Sequence, residues 1–179
     1  MGSDQGALTA RPSLDFLLNP MSNRALASHL RRTVDGPMWH GPALMELLST
    51  ISVTQASARP IASAHTIAEL VLHMTAWANI ARERLHSPTP VEATPEQDWP
   101  TATGLDASGW HDALAQLRAA YDALAKEVET LDEGALRVTV RGRDHSVETM
   151  IRGVVEHGVY HGGQVALLKR ALESAPARR

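Results

Sequence analysis

His157 and His161 lie four residues apart in the stretch Val154-Val155-Glu156-His157-Gly158-Val159-Tyr160-His161-Gly162-Gly163-Gln164-Val165. On a helix, that spacing is just over one turn. Both imidazoles then leave the same face, where one ion can take two nitrogen ligands from a single helix. The pair also falls inside an apolar stripe of Met150, Val154, His157, His161, Val165, Leu168 and Leu172, at positions where Leu or Val is expected. A buried polar side chain costs stability unless it is partnered. Hydrogen bonds to neighbouring groups or a shared metal would each explain the pair, and a third ligand is needed to decide. His73 is the candidate. Leu70, His73, Trp77 and Ile80 recur at three- and four-residue steps, which turns His73 inward on another helix. A lone histidine there also fits as a hydrogen-bonded core residue.

Composition narrows the chemistry. The chain has 179 residues, enough for one domain with a full core, and 44% of them are hydrophobic. Aromatic residues are scarce (four Trp, two Tyr, one Phe), while Ala and Leu are plentiful, which favours helix over sheet. The formal net charge of −3, with acids and bases interspersed, gives no basic footprint for nucleic acid. Without cysteine there is neither a disulfide framework nor a thiolate ligand, so a metal must use histidine, carboxylate and water. No signal-peptide pattern and no membrane-spanning apolar run is present, and the expectation is a cytoplasmic protein without a membrane partner.

Four main helices are expected to position these groups, as an all-α four-helix bundle. Residues 1–20 read as an N-terminal extension, irregular apart from Leu14-Asp15-Phe16-Leu17-Leu18, and residues 21–175 as the domain. The first helix covers about 22–35, capped by Ser22 or Asn23 and stopped at Asp35-Gly36-Pro37. A short helical piece at 43–51 and a connection at 52–64 with about one helical turn follow. Thr66-Ile67-Ala68-Glu69 is a capping box and starts the second main helix, which carries His73. Residues 87–105, with four prolines and no periodicity, predict a long loop that crosses one end of the bundle and lets the second and third main helices run parallel. The third helix, about 107–131, has an unbroken core stripe from Trp110 to Leu131, and residues 136–140 with Arg141-Gly142-Arg143-Asp144 read as a short extended segment with a turn and not a sheet. Ser146 caps the last helix, which runs to about Ser174 and holds both clustered histidines. Its interior Gly158, Gly162 and Gly163 each cost about 1 kcal/mol relative to Ala, which predicts close approach of another backbone or room around a ligand.

Three features together resemble the DinB/YfiT-like superfamily of helical-bundle metalloproteins. They are Thr66-Ile67-Ala68-Glu69-Leu70-Val71-Leu72-His73-Met74-Thr75-Ala76-Trp77, the later Glu156-His157-Gly158-Val159-Tyr160-His161-Gly162-Gly163-Gln164, and their order. Trp39-His40-Gly41-Pro42 is similar to a DinB-like subgroup. The resemblance spans about residues 22–174 and implies a four-helix bundle in which His73, His157 and His161 bind one divalent metal. It also implies a homodimer, and either a hydrolase or a transferase that works with a low-molecular-weight thiol, on a small-molecule substrate the sequence does not name.

Three imidazoles leave at least one coordination position open, the pattern of catalytic sites. Zinc or nickel head the candidates, and iron and manganese also accept imidazole. Gln164, three residues after His161, is a candidate to orient substrate or a ligand; Tyr160 and His40 are candidate pocket residues, and all three also fit plain structural roles. Glu156 points about 100° away from His157 around the helix, which suits the surface or an outer layer of the site. Trp39, Trp77, Trp99 and Trp110 are available for a pocket wall or a dimer contact. The competing class is a non-catalytic metal-binding or stress-related protein on the same scaffold. An unpaired acid near an open metal position, together with a cleft of several hundred Å³, would favour the enzyme.

Overall fold

The computed structural model describes residues 21–132 and 134–174; the expected extension at 1–20 and the last residue of the expected domain lie outside them. The described chain is all-α, with seven α-helices in the order α1 (Asn23–Asp35), α2 (Leu44–Leu48), α3 (Val53–Ser57), α4 (Ile67–His86), α5 (Pro95–Asp98), α6 (Ala107–Thr130) and α7 (Val147–Ser174).

The helix starts are built locally. Ser22 Oγ accepts from the Ala25 N–H at 3.2 Å, and Asp106 Oδ1 accepts from the Gly109 N–H at 2.7 Å. At α4 the capping box closes both ways: Glu69 N–H donates to Thr66 Oγ1 at 3.1 Å, and Thr66 N–H donates to Glu69 Oε2 at 2.8 Å. Each such cap is worth about 1 kcal/mol by satisfying amides that the helix itself leaves orphaned. Gly36 ends α1 with φ 79°, in the left-handed region that favours glycine, and its N–H returns to the Arg32 carbonyl.

The four long helices pair around one core. α1 packs on α6 and α7, and α4 packs on the same two. Leu26, Leu30, Leu70, Met74, Leu117, Leu124 and Ile151 are fully or almost fully buried between them. Polar pairs at the rims give the directions. Arg82 and His86, late in α4, both reach Glu127, late in α6, so these two helices bring their C-terminal ends together. Arg31 of α1 reaches Asp122 and Glu129, while Asp35, four residues on, accepts from Arg118, so α1 runs opposite to α6.

The segment between α4 and α6 then has to return along the molecule. Arg84 Nε donates to the Val91 carbonyl, Arg143 donates to Val91 and Glu92, and His73 and Trp77 hold Asp98. The chain therefore climbs along α4 toward its N-terminus. It is not loop throughout, because Thr94, Pro95 and Gln97 close a capping box that starts α5.

Residues 136–140 are extended only from Val138 on, around a turn and outside any sheet. Ala135–Arg137 is a 3₁₀ turn, and Thr139 bridges Ser146 through the Val140 N–H to the His145 carbonyl and the Val147 N–H to the Val138 carbonyl. The alternation arises because Leu136 and Val140 are buried while Val138 is 60% exposed; one side of a tight turn packs, and no partner strand is needed.

Candidate metal centre

α4 and α7 bring the three histidines to one point. His73 and His161 are buried and His157 is half-buried, and a ligating nitrogen from each lies within 4.8 Å of the other two. His157 Nε2 is 2.9 Å from His73 Nε2 and 3.0 Å from His161 Nε2. Convergence of the His157–His161 pair is helix geometry. Addition of His73 depends on α4 packing on α7.

Neighbouring groups fix how two of the rings carry their protons. His73 Nδ1–H donates to the Asp98 main-chain carbonyl, and His161 Nδ1–H donates to Gln164 Oε1 at 2.9 Å. A carbonyl oxygen only accepts, so each neutral ring presents its Nε2 lone pair to the centre. This is the arrangement by which outer groups orient metal-binding histidines. Burial pushes His157 down to about 4, with His161 and His73 adding to the effect and Asp98 opposing it. Burial also lowers His161, against the opposing hydrogen bond from Gln164. His157 and His161 are therefore held toward the neutral form that ligates metal.

The donor set fits a cation better than it fits protons. Lone pairs from His73 and His161 face His157 Nε2 at about hydrogen-bond distance. A neutral His157 with its proton on Nε2 could donate to only one of these lone pairs, leaving the other, and its own buried Nδ1, without a partner; charging the ring is opposed by burial. One cation at the convergence would satisfy all three Nε2 lone pairs at once.

Aromatic rings wall the cluster. Trp99 is sandwiched between His73, with ring centres 3.8 Å apart and planes within 4°, and His65, at 3.5 Å and 6°. Trp77 meets His73 and His157 edge-on, at 6.4 and 6.1 Å, and its Nε1–H donates to Asp98 Oδ1 at 2.7 Å. Asp98 Oδ1 is 3.4 Å from His73 Nδ1, so the residue touches the cluster with both its carboxylate and its carbonyl. A cleft of about 420 Å³ opens here, lined by His73, His157, Trp77, Asp98, Met150 and Val154 among others.

The remaining sequence candidates divide. Gln164 is the hydrogen-bond partner of His161. Tyr160 is 66% exposed, with its ring edge-on to His161 at 5.0 Å. His40 is apart from the cluster, in a second cavity that it lines with Leu44, Gly158 and Gly162. Glu156 is exposed. Of the tryptophans, Trp77 and Trp99 form pocket wall, Trp110 is buried and donates to the Ile51 carbonyl at 2.8 Å, and Trp39 is 98% exposed. Asp98 is the site residue that sequence reasoning missed. Its one local signal is the Thr94-Pro95-Glu96-Gln97 start of a helical turn inside an otherwise aperiodic loop.

A helical chain with three inward histidines on two helices defines a class of candidate metal-binding proteins, and the sequence comparison agrees with it. The model of the DinB superfamily matches residues 39–165, and the chain belongs to that superfamily. No curated protein and no solved structure matches it. Among the described residues, no helix is long and apolar enough to cross a membrane.

Proposed function

We propose that this protein is a divalent-metal-dependent enzyme acting on a small molecule, with His73, His157 and His161 as ligands and Asp98 as the proton acceptor beside them. The observation that carries this reading is the shared position of cluster, carboxylate and cleft. Asp98 reaches His73 and Trp77 while lining the same cavity of about 420 Å³ as His73 and His157. A site that only stored a metal would have no need of an acid and an apolar cleft on its open side.

A divalent ion held by the three Nε2 atoms would supply Lewis acidity and lower the pKa of a bound water or thiol. Zinc or nickel suits three imidazoles best, with iron or manganese as further candidates. The chain's own part is clear from its contacts. His73 and His161 are locked in one tautomer by Asp98 and Gln164. Trp99 and Trp77 shield the cluster from water. The Asp98 carboxylate, held by the Trp77 N–H and 3.4 Å from His73 Nδ1, lines the same cleft and is the group we assign to accept a nucleophile's proton. That acceptor favours hydrolysis; transfer to or from a low-molecular-weight thiol would use the same residues with the thiol as nucleophile. The scaffold we infer is a four-helix bundle of α1, α4, α6 and α7 with a crossover between α4 and α6, supported by the shared end of those two helices at Glu127.

Asp98→Asn tests the role directly, because Asn still accepts from Trp77 and keeps the carbonyl bonded to His73. Expected is unchanged metal stoichiometry with turnover down about 100-fold or more, in a screen of ester and amide substrates with and without thiols. Equal turnover in the variant would remove Asp98 from the mechanism.

A further inference from the structure

Arg84 lies eleven residues after His73 on α4, almost the same direction around the helix and about 16 Å further along its axis. Its side chain folds back over Trp77, with the guanidinium carbon 5.5 Å from the ring centre. The same indole meets His73 at 6.4 Å and His157 at 6.1 Å, so one ring bridges the cation and the histidine cluster. Between them the cleft wall is Ala81, Met150 and Val154, and at Gly153 there is open space where a side chain would stand.

Arg84 is a cation short of an anion. Its one hydrogen bond to the described residues runs from Nε to the Val91 carbonyl at 3.2 Å, and no described carboxylate forms an ion pair with it. Burial and the nearby Arg143 both disfavour its charge, and Glu92 and Glu83 offset them only in part. Glu92 is already taken by Arg143 at 2.6 Å and is 70% exposed. His145 lines the cleft with Arg84, beside Asp144 at 3.4 Å. The uncompensated charge is thus a single guanidinium, which suits a carboxylate, the planar monoanion it binds with two parallel N–H bonds. A phosphate dianion would need further free donors facing the cleft; Arg143 gives its Nη2 to Val91 and Glu92, and its Nε is buried.

We propose that Arg84 is the recognition end of the cleft and that the substrate is a small organic carboxylate, its acid group on Arg84 and its apolar body along Trp77 toward the histidines. This rests on reading the cleft as the substrate site. It adds a substrate class and a specificity residue that neither the family nor the metal cluster supplies.

Binding of hexanoate, hexanamide and hexyl phosphate, followed by tryptophan fluorescence on the metal-loaded protein, tests it. Hexanoate should bind about tenfold or more tighter than hexanamide, the usual worth of a charge-assisted pair. Arg84→Met should erase that preference while leaving hexanamide affinity and metal stoichiometry unchanged. Arg84→Gln, which can still donate to Val91, should erase it equally. Preference that survives either variant would mean that the carboxylate is held elsewhere, on the metal included, and would overturn the proposal. So would absence of preference in the wild type, or tighter binding of hexyl phosphate. His157→Ala separates this from the metal reading: the preference should persist when metal binding is lost.

Discussion

Two cavities of similar size flank α7, one of about 420 Å³ against α4 and one of about 360 Å³ against α1 and α2. Volume does not distinguish them. The first is lined by two of the clustered imidazoles, His73 and His157, with a carboxylate and a guanidinium that has no carboxylate partner among the described residues, on an apolar wall. The second has His40 at its rim and otherwise Thr33, Pro42, Leu44, Leu47 and the small residues of α7. The difference is what the helix does on each side. Toward α1, α2 and α6 it uses glycine to pack: a Cβ at Gly158 would stand 2.7 Å from Thr33 Cγ2 and 2.8 Å from Tyr121 Oη, and one at Gly162 would stand 3.3 Å from Leu44. Toward α4 it places histidines and leaves space. Convergent polar groups, and not empty volume, mark the functional side.

Removing a ligand should break the comparison most. His161→Ala is expected to weaken divalent-metal binding by about 100-fold or more and to lower the thermal stability of the metal-loaded protein, because the ion binds only the fold. His40→Ala, in the other cavity, should leave the titration unchanged. Stoichiometric metal binding by His161→Ala would return the histidines to a purely packing role.

The packing side should respond to volume. Gly158→Ala is expected to destabilise by about 1–3 kcal/mol, since Thr33 and the buried Tyr121 ring must both shift. Gly163→Ala meets nothing within 4 Å and should gain up to about 1 kcal/mol from helix propensity. Thermal melts of the two variants should move in opposite directions; a shared direction would show that crowding does not decide the Gly158 position.

The effect confined to one pH window is acid sensitivity of the metal-free protein. His157 is pushed down to about 4 in the fold, against an ordinary value of 6.5. Between those values the unfolded chain binds a proton that the folded chain refuses. Stability from this group is therefore full above about 6.5 and falls as pH drops toward 4. Melting temperature should decline across that window, and His157→Ala should flatten the decline. A profile unchanged by the substitution would assign the acid response to other groups.

What the sequence determined by itself is what short-range geometry dictates. Thr66 and Glu69 start α4 because a side chain three residues away reaches the orphan amide, and His157 and His161 share a face because a turn takes 3.6 residues. Inward placement of His73 and the long helices follow from the same periodicity, and the family likeness from the residues around the histidines. Tertiary structure alone decided the rest. Asp98 and Trp99 come from a proline-rich segment with no period to read, and they reach His73 only because that segment climbs back along α4. Arg84 reads in sequence as one more helical cation; its meaning depends on which carboxylates the fold spends on Arg143, Arg82 and Arg31. Gly158 and Gly162 likewise signalled close approach without naming the partner, and the partners proved to be side chains of Thr33, Tyr121 and Leu44. Local pattern sets which way a residue faces, and only long-range packing sets what it meets there.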